Sequence, residues 1–239
     1  MSTQASPNQA TETVNWTKFV VRMAILAVVF PALLFLAAGR LDWWTGWAYI
    51  VLVVASTLIS RYLMIRRNPA LFEERTEALS RENTKSWDRI IAPMLSIGPL
   101  VQIIVAGLDF RFGWSPAFAP WVQLLGIALM LIGYAFATWA MVANAFFSST
   151  VRIQTDRGQH VVTEGPYRIV RHPGYIGLLI GSVGTSLVLS SVWSLVPAVV
   201  VMIVTVIRTA LEDAALHDEL PGYREYAQKT RYRLLPGVW

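Results

Sequence analysis

Cysteine is absent from the 239 residues. A disulfide framework, a thiolate metal site and a cysteine nucleophile are thereby excluded. Charge is scarce as well. Asp, Glu, Lys and Arg make up 15% of the chain, against about 25% in an average soluble domain. Only three histidines occur, His160, His172 and His217. What charge there is falls in blocks between long apolar stretches, and 55% of the residues are hydrophobic. That is the pattern of a bilayer protein, where each helical span takes roughly 20 mostly apolar residues. The length suits one helical unit rather than several soluble domains.

Six apolar runs are readable, at about Phe19–Ala38, 43–65, 90–108, 121–143, 173–189 and 192–210. The expected fold is therefore all-α, an integral membrane protein of about six transmembrane helices. Proline and glycine inside the runs do not exclude them, because neighbouring helices can satisfy the freed backbone groups. Trp43, Trp44 and Trp47 open the second run and suit a membrane–water interface. The fifth run is short. As a helix it rises only about 26 Å, marginal against a hydrocarbon core of about 30 Å, so runs five and six are predicted to form a tight hairpin partly shielded by other helices.

The net charge of +5 would suit nucleic acid, but the basic residues flank the apolar runs. Of the 20 Lys and Arg residues, Arg40 and Arg111 alone fall on one side of a six-span topology. The positive-inside rule then places both termini in the cytoplasm. The expected location is the cytoplasmic (inner) membrane of a bacterium. The lipid bilayer is the partner this distribution implies, with neither nucleic acid nor metal. Residues 1–16 read as a polar, disordered tail without the basic start or cleavage site of a signal peptide. Residues 17–143 read as a transmembrane bundle with a cytoplasmic loop at 66–89, and 144–239 as the catalytic region. In the loop, Glu73, Glu74, Glu77 and Glu82 alternate with basic residues. Such mixing marks a solvated helix–turn, or else an interfacial flap over a substrate entrance.

The densest polar information lies between Asn144 and Pro173. Residues 151–162 read as two short extended pieces around a turn at Asp156, Arg157 and Gly158. Pro173 fits the first turn of a helix, where a missing N–H costs nothing, which puts His172 at the cap beside free N–H groups able to attract an anion. Gly174, Gly177, Gly181 and Gly184 share one face of the following helix. They serve either close helix packing or room for a flat ligand. Arg208 and Glu212 lie four apart, on one helical face. That spacing reads as an exposed ion pair at the membrane border, with Arg208 snorkelling, or as part of a site. The basic, aromatic stretch 220–236 suits interfacial anchoring, with a possible second use in closing the site from the cytosol.

Together, Gly165, Pro166 and Tyr167, the run from Arg171 to Gly177, the acidic pair Glu212 and Asp213, and the later Tyr223 and Tyr226 resemble the isoprenylcysteine carboxyl methyltransferase family and its phospholipid methyltransferase relatives. The resemblance covers roughly 144–236. It implies a cytoplasmic pocket for S-adenosylmethionine, built by loop, hairpin and tail, and a lipid-side tunnel for the substrate, a lipophilic or small-molecule methyl acceptor. By position it assigns the cofactor to Gln154, Gln159, His160, Val161, Val162, Tyr167, His172, Pro173, Gly174, Tyr175 and Glu212. It turns Arg208 toward the substrate, so Arg208, Glu212 and His172 are the expected catalytic residues. If the acceptor is an amine or neutral thiol, Glu212 or His172 would be the base. The chain departs from the family pattern where Gln159 stands in place of a histidine that here is His160, in an acidic pair that is Glu-Asp rather than Glu-Glu, and in a Leu220–Tyr223 run one residue shorter. Two other classes compete with this reading. An NADPH-dependent, sterol-reductase-like membrane oxidoreductase is disfavoured by Gly174 and Gly177, where those reductases carry asparagine and an acid. A non-enzymatic membrane protein would explain the spans but not the clustered His, Tyr, Glu and Arg.

Overall fold

The structure is a computed structural model that describes residues 16–77 and 83–239. Its helices are α1 (Trp16–Ala38), α2 (Trp44–Arg67), α3 (Pro69–Glu77), α4 (Asp88–Phe112), α5 (Pro120–Ala143), α6 (Pro173–Val188), α7 (Leu195–Glu219) and α8 (Tyr223–Lys229). Among the described residues there is no strand. The expected tail, apart from Trp16, lies outside the described residues, as do Arg81 and Glu82 of the loop.

Five helices, α1, α2, α4, α5 and α7, are long and apolar enough to cross a bilayer, and α6 is a shorter apolar helix. The chain is an integral membrane protein by this measure. Prolines inside α1 (Pro31) and α4 (Pro93, Pro99) do not break those helices, as neighbour-supported spans allow. Outward faces carry exposed Val20, Ile25 and Val28 on α1 and Leu124 and Ile132 on α5, the side chains that lipid would cover.

Successive connections alternate between the two ends. Arg111, at the end of α4, packs against Gly39 beyond α1. Ser115, after α4, accepts at its hydroxyl the backbone N–H of Val192, between α6 and α7 (2.9 Å). The connections holding Arg40, Arg111 and the α6–α7 turn thus share one end. Trp114 and Trp193 meet there edge to face. Arg152, Arg171 and Arg208 gather at the opposite end with α3, α8 and the long loop between α5 and α6.

The short α6 has its most extensive interface with α5, and it also touches α7 and α4. Helix α5 is thus the main neighbour that shields the expected α6–α7 hairpin. The cause is steric. A Cβ on Gly177 would lie 2.5 Å from the carbonyl oxygen of Gly133, and one on Gly184 would lie 2.8 Å from that of Gly126. Glycine on both helices lets their backbones meet, which is how helices associate where no hydrophobic drive separates them from lipid. Inside the bundle, Gln102 of α4 donates to the Ser182 carbonyl (2.7 Å) and the Ser186 hydroxyl (3.0 Å) of α6. Buried amides of this kind are tolerated because they are paired. The sixth run is longer than its apolar letters suggest. Helix α7 continues to Glu219 and so carries Glu212 and Asp213 within regular helix.

The predicted turn at Asp156, Arg157 and Gly158 is present, between two pieces that form no strand. Between them stands a single 3-10 turn, Thr155–Arg157, closed by Gly158 at φ +63°, a conformation in which glycine carries no Cβ penalty. The Gln159 side chain accepts the Gln154 N–H (2.7 Å), so side chains rather than a strand ladder hold the loop.

Candidate active site

Pro173 begins α6, with His172 at the cap, as the dipeptide predicts. Three buried carboxylates then arrange everything around that helix start. Asp213, fully buried in α7, accepts from Arg171 Nε and Nη2 (2.8 and 2.9 Å), Arg233 Nε (2.7 Å) and Tyr223 Oη (2.8 Å). Its Oδ1 also lies 3.1 Å from His172 Nε2. Arg171 Nη1 goes on to donate to the Thr230 and Arg231 carbonyls. One acid therefore ties the start of α6, helix α7 and the basic tail together. Burial works most strongly against the Arg171 cation, but the hydrogen bonds and charge of Asp213, with Tyr223, together hold its pKa above the ordinary value.

Glu74 of α3 is the second. It takes Arg152 Nε and Nη2 at 2.9 and 2.7 Å, with both side chains almost wholly buried, and its Oε1 accepts the Ser148 hydroxyl. The Glu74 hydrogen bond raises the Arg152 pKa against the opposing effect of burial. Asp88, the first residue of α4, is the third. It accepts the Val151 N–H (2.6 Å) and a bidentate fork from Arg208. Arg208 also donates to the Ser149 carbonyl (2.9 Å). Glu74 and Asp88 thus pin loop 144–154 from the N-terminal half of the chain. Neither was singled out as a site residue in the sequence. The readable signal was Asp88, an acid at the border of the third apolar run, to which the same border-charge logic applies. Loop 66–89 is accordingly more than a solvated turn, since Leu71, Phe72 and Glu74 are buried.

A cavity of about 590 Å³ opens among these groups, within the usual size range for small-molecule sites. All of the eleven sequence-assigned cofactor residues, and Arg208, line it. They play different parts. Tyr175 Oη donates to Glu212 Oε2 at 2.5 Å. Gln154 is engaged by the protein, donating to the Phe146 carbonyl and accepting from Arg157. Tyr167 accepts at its hydroxyl from Asn144 (3.2 Å), and burial raises its pKa. His160 is exposed and sits edge to face on Phe146. The predicted exposed pair between Arg208 and Glu212 does not form, because Asp88 takes the guanidinium.

The glycine face divides between its two readings. Gly177 and Gly184 pack on α5, whereas a Cβ on Gly181 would meet nothing within 4 Å, and Gly181 lines the cavity. From the polar loop the cavity continues among Phe30, Tyr49, Val53, Gln102, Tyr134 and Thr185, deep in the bundle. None of the N-terminal members of that wall was predicted. They come from runs whose letters say only that they are apolar.

Residues 121–219 match the family described as phospholipid methyltransferase. Over 113 residues the chain is 34% identical to protein-S-isoprenylcysteine O-methyltransferase B of Arabidopsis thaliana, covering 47% of this chain and 54% of that one. Form A from the same plant is 35% identical over 83 residues, 34% of this chain and 42% of that one. The cobalt-zinc-cadmium resistance protein CzcN of Cupriavidus metallidurans is 34% identical over 136 residues, 55% and 58% of the two chains. The chain spans about half the length of the curated relatives it matches. The C-terminal half is thus similar to the phospholipid methyltransferase family over residues 121–219 and to isoprenylcysteine O-methyltransferases over about half of the chain.

Proposed function

We propose that this protein is an integral membrane methyltransferase that uses S-adenosylmethionine and methylates a lipophilic or small acceptor. One observation carries the reading: a single cavity joins the polar loop at the α6 start, with His172 and Glu212 in its wall, to an apolar interior between the long helices. Residues 144–239 would bear the chemistry, with Glu74 and Asp88 reaching in from the bundle to position the loop.

The residues present fit the cofactor's chemistry. Glu212 offers a carboxylate to its amine or ribose. The first turn of α6 offers backbone N–H groups to its carboxylate. Gly181 leaves space against the helix for a flat group. When bound, S-adenosylmethionine supplies an electrophilic methyl, whose bonding pair returns to sulfur as a lone pair of the acceptor forms the new bond. For such an in-line displacement the protein's task is orientation, which accounts for much of the acceleration in reactions of this kind. Tyr175 holds Glu212 in one rotamer through its hydroxyl, and Asp213 holds His172. The apolar walls exclude water from the acceptor. The distribution of basic residues supports an orientation with the site loop and both termini on the cytoplasmic side, in a bacterial cytoplasmic membrane.

Calorimetry of the detergent-purified protein tests the reading. S-adenosylhomocysteine should bind and NADPH should not. Binding of NADPH, or of neither compound, would overturn it.

A further inference from the structure

Four arginines of the site end differ in one respect. Arg152, Arg171 and Arg208 each meet a buried carboxylate through two nitrogens. Arg75, on α3, meets none among the described residues. Its Nη1 donates to the Phe147 carbonyl (3.1 Å) and its guanidinium lies over the Phe147 ring, so its orientation is set. Yet its Nε is buried without a hydrogen-bond partner. Two other cations, Arg61 and Arg208, act on it. Burial, then Arg61, then Arg208 disfavour its cation and push its pKa down to about 9. A guanidinium nonetheless keeps its proton, and a charge left in that state is costly unless something answers it. Arg75 lines the same cavity as Glu212, Tyr175 and Gly181.

The geometry points to Arg75 as the residue that holds an anionic group on the methyl acceptor. The inference rests on the methyltransferase reading above and adds a specificity residue to it, from a segment outside the matched residues 121–219. Arg208 suits that role less well, because Asp88 already neutralises it. An anion of carboxylate or phosphate geometry can meet the guanidinium where Arg75 lines the cavity, and charge-assisted bonds of that type are the stronger kind. The acceptor class is then a lipophilic molecule with a negatively charged head. The apolar interior would take its tail.

The test uses the full-length protein in detergent with tritiated S-adenosylmethionine and a total membrane lipid extract of the source organism. Transfer to the unfractionated extract checks the methyltransferase reading by itself. The extract is then split on an anion exchanger. The retained fraction should accept label and the flow-through should not; undiminished acceptance by the flow-through would overturn the inference. A phosphorus assay of the labelled product tells phosphate from carboxylate. Arg75→Gln should lower transfer roughly 10- to 100-fold, the worth of one charged hydrogen bond, with Arg75→Lys restoring part of it. S-adenosylhomocysteine affinity should stay within about twofold in both. Unchanged transfer in Arg75→Gln would overturn the assignment. So would a joint loss of melting temperature and S-adenosylhomocysteine binding, which would mark Arg75 as a structural residue.

Discussion

Arg208 and Asp88 close a buried fork 120 positions apart in the chain, Nε to Oδ1 at 2.7 Å and Nη2 to Oδ2 at 2.8 Å. The pair joins the middle of α7 to the start of α4. Because Asp88 also accepts the Val151 N–H, the same acid fixes the site loop. The bundle and the site half are therefore one mechanical unit at this end.

Breaking that fork from either side leaves a buried charge without its partner, at a typical cost of about 3–5 kcal/mol. Asp88→Ala should lower stability by that order and impair methyl transfer, although Asp88 lies outside the matched family segment. Thermal or denaturant melts in detergent, run beside a transfer assay, measure both. A variant with unaltered melting and full turnover would show that the fork is dispensable.

Glu212 and Asp213 are adjacent, yet their environments call for opposite outcomes. Glu212→Ala should keep expression and melting temperature while weakening S-adenosylhomocysteine binding at least about tenfold, the loss of one charge-assisted contact. Asp213→Ala should destabilise the fold by about 3–5 kcal/mol, because it strands Arg171 and Arg233. Calorimetry separates the first effect, and melting curves the second.

The glycines of α6 offer a second contrast. Gly177→Ala places a Cβ against the Gly133 backbone and should cost about 1–3 kcal/mol as overpacking. Gly181→Ala meets open space and should leave stability unchanged or improved by roughly 0.5–1 kcal/mol from helix preference. It would at the same time narrow the cavity, which a ligand-binding curve would register.

Alkaline titration should loosen the C-terminal tyrosine cluster. Burial raises the Tyr226 pKa to about 12, and those of Tyr167 and Tyr223 move the same way. A phenol whose folded pKa exceeds its unfolded value of about 10 contributes stability that is complete below pH 10. That stability drains as pH climbs toward 12. Tyr226→Phe, which removes the bond to the Tyr167 carbonyl (2.7 Å), should shrink this window in a tyrosinate absorbance titration.

Topology is testable because the chain has no cysteine. An Asp42→Cys variant, at the end that holds exposed Asp42 in its ion pair with Arg40, should react with a membrane-impermeant maleimide in intact cells. An Asp218→Cys variant should react only after lysis. The reverse pattern would invert the orientation.

Much of this protein was legible in its letters. Long apolar runs require helices in a bilayer whatever their neighbours, so the spans, their alternation and the sidedness of the basic residues follow from composition and order alone. The start of α6 at Pro173 was local too, since proline restricts its own backbone. The motif between Gly165 and Gly177, with Glu212, marked one wall of the site for the same reason: those residues are close in sequence or belong to a recognisable pattern.

Only the tertiary structure decided which charges are already paired. Arg208 and Arg75 look alike as letters, and what distinguishes them among the described residues is a carboxylate contributed from α4 to one and to the other none. Likewise, nothing in the spacing of Gly177 and Gly181 told which would face Gly133 and which would face empty space, since the pitch of a single helix does not reveal where its neighbour lies. Pairing and packing depend on distances between segments far apart in the chain, and a one-dimensional pattern does not contain those distances.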